Sequence, residues 1–282
     1  MQKNLLLTFV LLLVSCAAPP GNQEVDNLSN HTSESSSAAS IDRLNNSPRH
    51  QEWVEVQNGE KTIHTWVVYP ETSEKRPVVI LIHENRGLND WARGMADQVA
   101  EAGYIGVAPD LLSEFSAEMQ RTSDFENEDV ARDALSQLDP KDVQSDLQAV
   151  AEYAKTIPAG NGKLVSAGFC WGGGQSFTFA TESDDLAAAM VFYGTGPTDP
   201  EAYEEISSPV FGFYGGADER VNATIDASEV AMEDAGNEYD YVIYEGAGHA
   251  FMRSGEDPAG DPANIAARNA AWERMKDILA KL

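Results

Sequence analysis

Basic residues are scarce in this chain. Lys and Arg number 19 against 46 Asp and Glu, a formal charge of −27, and so strong an anionic balance excludes nucleic acid as a partner. An anionic substrate would have to be met by a local cation. Cysteine is scarcer still. Cys16 and Cys170 cannot build a disulfide framework, so stability has to come from a packed core. The one long apolar stretch, Leu5 to Val14 broken by Thr8, is too short to span a bilayer as a stable helix. There is no repeat with a period of roughly 20 to 50 residues, no Rossmann or P-loop glycine spacing, and no HExxH or second cluster of metal ligands beside His83-Glu84. What remains is globular in composition. At 282 residues with 42% hydrophobic and 9% aromatic content, the chain is long enough for one large domain and an appendage.

The appendage is N-terminal. Residues 1–15, with Lys3 ahead of the apolar run, read as a signal peptide. Ser15 followed by Cys16 resembles the lipobox of bacterial lipoproteins. That resemblance implies cleavage before Cys16, diacylation of its thiol and a place in the cell envelope, and Ala17 after it leans towards the outer membrane, the leaflet being left open. Residues 16–50 are rich in Ser and Asn and poor in large apolar side chains, as expected of a lipid-anchored flexible linker. Such a tether spans on the order of 30 Å. Residues 51–282 form the domain, with the membrane reached through the N-terminal lipid only and a monomer as the expected state.

Within the domain the hydrophobic period changes repeatedly. Glu52–Gln57 and Thr62–Tyr69 flank Asn58-Gly59 as a hairpin. Pro77–Ile82 is a continuous apolar run, the mark of a strand covered on both faces. A helix follows from Asn89-Asp90 to Gly103, then strands and helices alternate. Strands are expected at Tyr104–Ala108, Gly162–Phe169, Ala187–Tyr193, Pro209–Tyr214 and Tyr239–Tyr244. The helices between them open at Asp139-Pro140, run from about Asn222 to Ala235, and end the chain from about Ala263 to Leu282. Leu111 to Leu138 is acidic and interrupted and reads as a cap over one end of the sheet. The pattern predicts an α/β domain with a mostly parallel central sheet and helices on both faces.

Three residues in chain order carry the chemistry. Gly168-Phe169-Cys170-Trp171-Gly172 lies between a buried strand and a helix start, the context of a nucleophile elbow with Cys in place of Ser. A helix N-terminus favours the thiolate. A thiol nucleophile needs a base and the base an orienting carboxylate. Asp218 and His249 follow the next strands, at the carboxyl ends where ligands bind in such sheets. Taken alone, a buried free cysteine, a turn aspartate and a loop histidine are ordinary. Their shared position is less so.

The chain from Glu52 to Leu282 resembles the dienelactone hydrolase family of the α/β-hydrolase fold. The likeness rests on Ile82-His83-Glu84-Asn85-Arg86-Gly87, Ala108-Pro109-Asp110-Leu111, the Cys170 elbow, Asp218, and Ala247-Gly248-His249-Ala250-Phe251-Met252-Arg253. It implies that Glu84 contacts the thiol and helps generate the thiolate when substrate binds. It also implies that Arg253 binds a substrate carboxylate. The oxyanion hole of this fold would use the backbone N–H groups of Trp171 and Asn85. The family's second carboxylate-binding arginine has no match here; Arg121 and Arg132 lie nearby but outside any matching motif. The expected activity is hydrolysis of a small-molecule lactone or carboxylic ester through a Cys-His-Asp triad, with no metal or organic cofactor. A broad carboxylesterase or thioesterase is the alternative within enzymology, and a non-catalytic envelope binding lipoprotein the one outside it. Redox work by Cys170 lacks a resolving cysteine once Cys16 is acylated.

Overall fold

The computed structural model describes residues 39–282. The signal peptide, Cys16 and the first part of the expected linker lie outside the described residues.

Eight strands form one sheet in the order β1-β2-β4-β3-β5-β6-β7-β8. The hairpin β1 (Gln51–Asn58) and β2 (Lys61–Val68) turns at Asn58-Gly59, and β2 runs antiparallel to β4 (Ile105–Pro109). From β4 the sheet is parallel through β3 (Arg76–Ile82), β5 (Gly160–Phe169), β6 (Leu186–Phe192), β7 (Val210–Gly215) and β8 (Tyr239–Tyr244). The apolar run in β3 behaves as its composition demands. Val78, Ile80 and Ile82 face one core with Leu147, Leu164 and Phe177, whereas Val79 and Leu81 face the other with Met95, Val165 and Met275. Each such side chain contributes about 1.5–3 kcal/mol by leaving water.

Helices cover both faces. α2 (Asp90–Glu101) is capped by the Asn89 side chain on Ala92 N–H, and α4 (Pro140–Thr156) opens with Asp139 as cap and Pro140 in its first turn. α5 (Trp171–Glu182) leaves the sheet directly after Cys170, the short α8 (Phe251–Ser254) carries Arg253, and α9 (Pro262–Leu279) closes the chain. The helix expected from about Asn222 to Ala235 is α7 (Ile225–Ala235), and a separate short turn capped by Asp218, α6 (Glu219–Asn222), precedes it. The acidic segment after β4 holds α3 (Glu128–Leu135), and its core of Leu112, Phe125, Ala131 and Leu135 packs against Trp171 at the start of α5.

The linker reading is corrected at its end. Residues 39–46 form a helix, α1, that lies on α2 and leads through Arg49 into β1. Asp97 of α2 is fully buried beneath this strap and accepts hydrogen bonds from Arg43 Nη1 at 3.0 Å, Arg49 Nη2 at 2.7 Å and Ser47 Oγ. Burial opposes ionisation there, yet the bonds from Arg49, Ser47 and Arg43 outweigh it and hold the carboxyl below its usual range. Removing one partner of a buried ion cluster costs roughly 3–5 kcal/mol, so residues 39–50 belong to the domain rather than to a free tether. A low count of apolar residues concealed this, because the strap is held by charge.

Candidate active site

The elbow is built by backbone crowding. Cys170 sits at φ 56° and ψ −114°, a left-handed conformation costly for a non-glycine residue. The packing on either side forces it there. A Cβ at Gly168 would lie 1.8 Å from Gly172 O, and one at Gly172 would lie 2.3 Å from Ile82 O. Strand, turn and helix therefore meet closer than any side chain permits, which pushes the thiol out at the carboxyl end of the sheet.

Asp218 and His249 arrive at the same end from β7 and β8. His249 Nε2 is 3.0 Å from Cys170 Sγ, and His249 Nδ1 is 2.5 Å from Asp218 Oδ2. Asp218 is buried and its second oxygen accepts Val221 N–H, so the carboxylate is fixed from both sides. The Cys-His-Asp set expected from the sequence is brought into one hydrogen-bonded line.

The thiol itself departs from expectation. Burial first, and then the charge of Glu84, push its pKa up to about 11. The Trp171 N–H, the charge of Arg220 and the Asn85 N–H act in the opposite direction. The helix N-terminus alone does not make a resting thiolate, because desolvation outweighs it. The backbone N–H groups of Trp171 and Asn85, the pair expected to form an oxyanion hole, both favour negative charge at this thiol.

Glu84 is not aimed at the thiol. Arg253 Nε donates to its Oε2 at 2.8 Å and Tyr193 OH to its Oε1 at 3.2 Å, and the carboxylate is buried. Arg253, expected to offer free positive charge, is itself largely covered, and the charge of Glu84 holds it protonated. The two form a closed pair beside the thiol. Arg121 and Arg132 do not complete it. Arg121 stacks on Trp53 at 4.6 Å and lines a cavity of about 380 Å³ with Arg86, Arg93, Phe125 and Glu128, none of which belongs to the triad. Arg132 lies on α3 and pairs with Asp129.

Sequence reasoning gave no role to Tyr193 and named His83 only within a motif. Tyr193, at φ 40° just past β6, holds Glu84 and sets its ring edge-on to His249 at 5.2 Å. Its position at a strand's carboxyl end is the signal that could have found it. His83 stacks on Trp171, and its Nδ1 lies 2.8 Å from Glu84 O while Leu111 N–H donates to Nε2 at 3.3 Å. Burial lowers its pKa to about 4, so the ring is neutral and serves to fix the loop that carries Glu84 and Asn85.

An eight-stranded sheet of this order, with a thiol at a strained strand–helix turn and an Asp-oriented His against it, defines an α/β-hydrolase. Residues 63–282 match the dienelactone hydrolase family, and the chain belongs to it. Two relatives bear the name "putative carboxymethylenebutenolidase". One, from Saccharolobus solfataricus, is 29% identical over 78% of this chain and 94% of its own length. The other, from Methylorubrum extorquens, is 30% identical over 71% and 70%. A dienelactone hydrolase-like promiscuous phosphotriesterase from metagenomic libraries shares the fold, with a TM-score of 0.69 and 22% identity over 83% of this chain and 98% of that one.

Proposed function

We propose that the chain hydrolyses a lactone or carboxylic ester through a thioester on Cys170. Its family makes it an ester or lactone hydrolase; the observation that carries the mechanism is the continuous contact Cys170–His249–Asp218. Sγ loses its proton to His249 Nε2 and attacks the carbonyl carbon. The Trp171 and Asn85 N–H groups receive the oxyanion. As the tetrahedral intermediate collapses, the C–O bond breaks and His249 returns the proton to the departing alkoxide, which in a lactone stays attached as the opened ring. Water, deprotonated by His249, then cleaves the thioester and restores the thiol. Asp218 holds the imidazole with Nδ1–H towards it throughout.

The Glu84–Arg253 pair adds a gate. A substrate carboxylate that takes Arg253 must displace Glu84, which is then released as a base beside the thiol. The pair also supports a second reading, a broad carboxylesterase or thioesterase, because Arg253 is already engaged and a neutral ester leaves it so.

The deciding measurement is hydrolysis of a dienelactone and of p-nitrophenyl acetate by the full chain and by Cys170→Ala, with folding checked by circular dichroism. Loss of the nucleophile is expected to lower kcat/KM by at least about 10⁴-fold on both substrates. Activity that survives the substitution sinks the thioester mechanism, and a wild-type preference for neutral esters favours the broader reading.

The lipoprotein reading rests on the signal-peptide pattern of residues 1–15 and on Ser15-Cys16 at its end. Full-length protein should sediment with membranes after expression in a bacterium, and Cys16→Ala should not. Equal partition of the two would refute the anchor.

A further inference from the structure

The described arginines are mostly neutralised. Arg253 pairs with Glu84, Arg86 with Glu128, Arg93 with Asp90 and Arg132 with Asp129. Arg121 is stacked on Trp53 and lies against His64. Arg220 differs: it is exposed, and none of the ion pairs or side-chain hydrogen bonds among the described residues engages it. Its place is set by the triad. Asp218 holds His249 through one oxygen and caps Val221 N–H through the other at 3.3 Å, which starts α6 directly at the triad. Val221 is buried and its neighbour Arg220 is exposed, two residues along the chain from Asp218. Asn222 Nδ2 donates to Gly215 O at 2.8 Å and ties the other end of this turn to β7. The base from which Arg220 projects is therefore rigid.

We infer that Arg220 receives an anionic group of the incoming acyl compound at the mouth of the site and thereby selects anionic over neutral esters. This rests on the thiol hydrolase reading above. The argument is one of availability. Arg253 accepts an anion only by giving up Glu84 from a buried pair, whereas Arg220 has no partner to lose. A chain of charge −27 repels anions at long range, so an unneutralised guanidinium whose charge is felt at the thiol is where a carboxylate can approach. An arginine fork suits a carboxylate geometrically as well. Consistent with this placement, the charge of Arg220 is among those that act on the Cys170 thiol.

Alkylation of Cys170 tests the inference without requiring turnover. Iodoacetate and iodoacetamide are nearly isosteric and differ by one charge, so their rate ratio reports the potential at the thiol. Full-length protein, Arg220→Gln and Arg220→Glu would be compared at low and high salt, with the site of labelling confirmed by mass spectrometry. The iodoacetate-to-iodoacetamide ratio should fall about five- to tenfold in Arg220→Gln and further in Arg220→Glu, and added salt should shrink the differences. Equal ratios in all three proteins would overturn the proposal. A second arm compares mono-p-nitrophenyl glutarate with p-nitrophenyl butyrate. KM for the glutarate should rise in Arg220→Gln relative to KM for the butyrate, with Arg220→Lys restoring part of the preference. Absence of hydrolysis in every form would overturn the hydrolase reading instead, and the alkylation ratio would still decide Arg220.

Discussion

Iodoacetamide is expected to alkylate resting Cys170 at pH 7 about a hundredfold more slowly than an ordinary cysteine, with the rate climbing about tenfold per pH unit up to pH 10. The sign follows from the thiol's pKa, raised from 9.0 to about 11 by burial and by the charge of Glu84. The thiolate is the reacting form, so raising the pKa removes it from neutral solution and returns it only as pH approaches the new value. Glu84→Gln separates the two causes. Without the negative charge the thiol pKa falls, and alkylation at pH 7 should speed up several-fold to about tenfold. Turnover of a carboxylate-bearing lactone should move the other way, because the released base of the proposed gate is gone and Arg253 has lost its 2.8 Å partner. Opposite signs for alkylation and catalysis are hard to obtain from a merely loosened site. A rate that is flat between pH 5 and pH 8 would instead reveal a preformed thiolate–imidazolium pair, and the resting state described here would be wrong.

The parts of the site that sequence made visible are those fixed by backbone topology. Buried β3 announced itself by an unbroken apolar run, the Cys170 elbow by glycines around a strand–helix junction, and Asp218 and His249 by their places after β7 and β8. Each of these is a local pattern with one structural cause. What stayed hidden are contacts between groups far apart in the chain whose strength depends on burial. Tyr193 and Arg253 meet Glu84 across sequence separations of 109 and 169 residues. Arg253 alone reads as free positive charge; only its closeness to Glu84 shows that the charge is taken. The strap at 39–50 has the composition of a linker, and Arg43 and Arg49 find Asp97 across sequence separations of 54 and 48 residues. The thiol's protonation could not be read either, since the helix N-terminus was legible and the opposing desolvation was not.

Gly172→Ala should cost the fold rather than a step of the chemistry. The methyl group would lie 2.3 Å from Ile82 O and 2.4 Å from His83 O, both backbone atoms of β3 and the loop after it. Neither can move alone. Ile82 pairs with Gly168 in the parallel ladder between β3 and β5, and His83 is held against Glu84 O and Leu111 N–H. Relief of the clash therefore requires either parting β3 from the elbow or moving α5 off the sheet, and both uncover buried apolar surface around Phe177 and Ile82. Loss of several kcal/mol is expected, on the order of the whole stability of many domains. The substituted chain should be found mostly in the insoluble fraction, or should unfold in urea at a much lower midpoint. Gly162→Ala gives a comparison, since that glycine has a positive φ of 88° but nothing within 4 Å of the added carbon. It should show only the modest strain of an unfavourable φ, about 1 kcal/mol. Were both substitutions equally mild, the close meeting of β3, the elbow and α5 would not be what drives Cys170 into its strained turn.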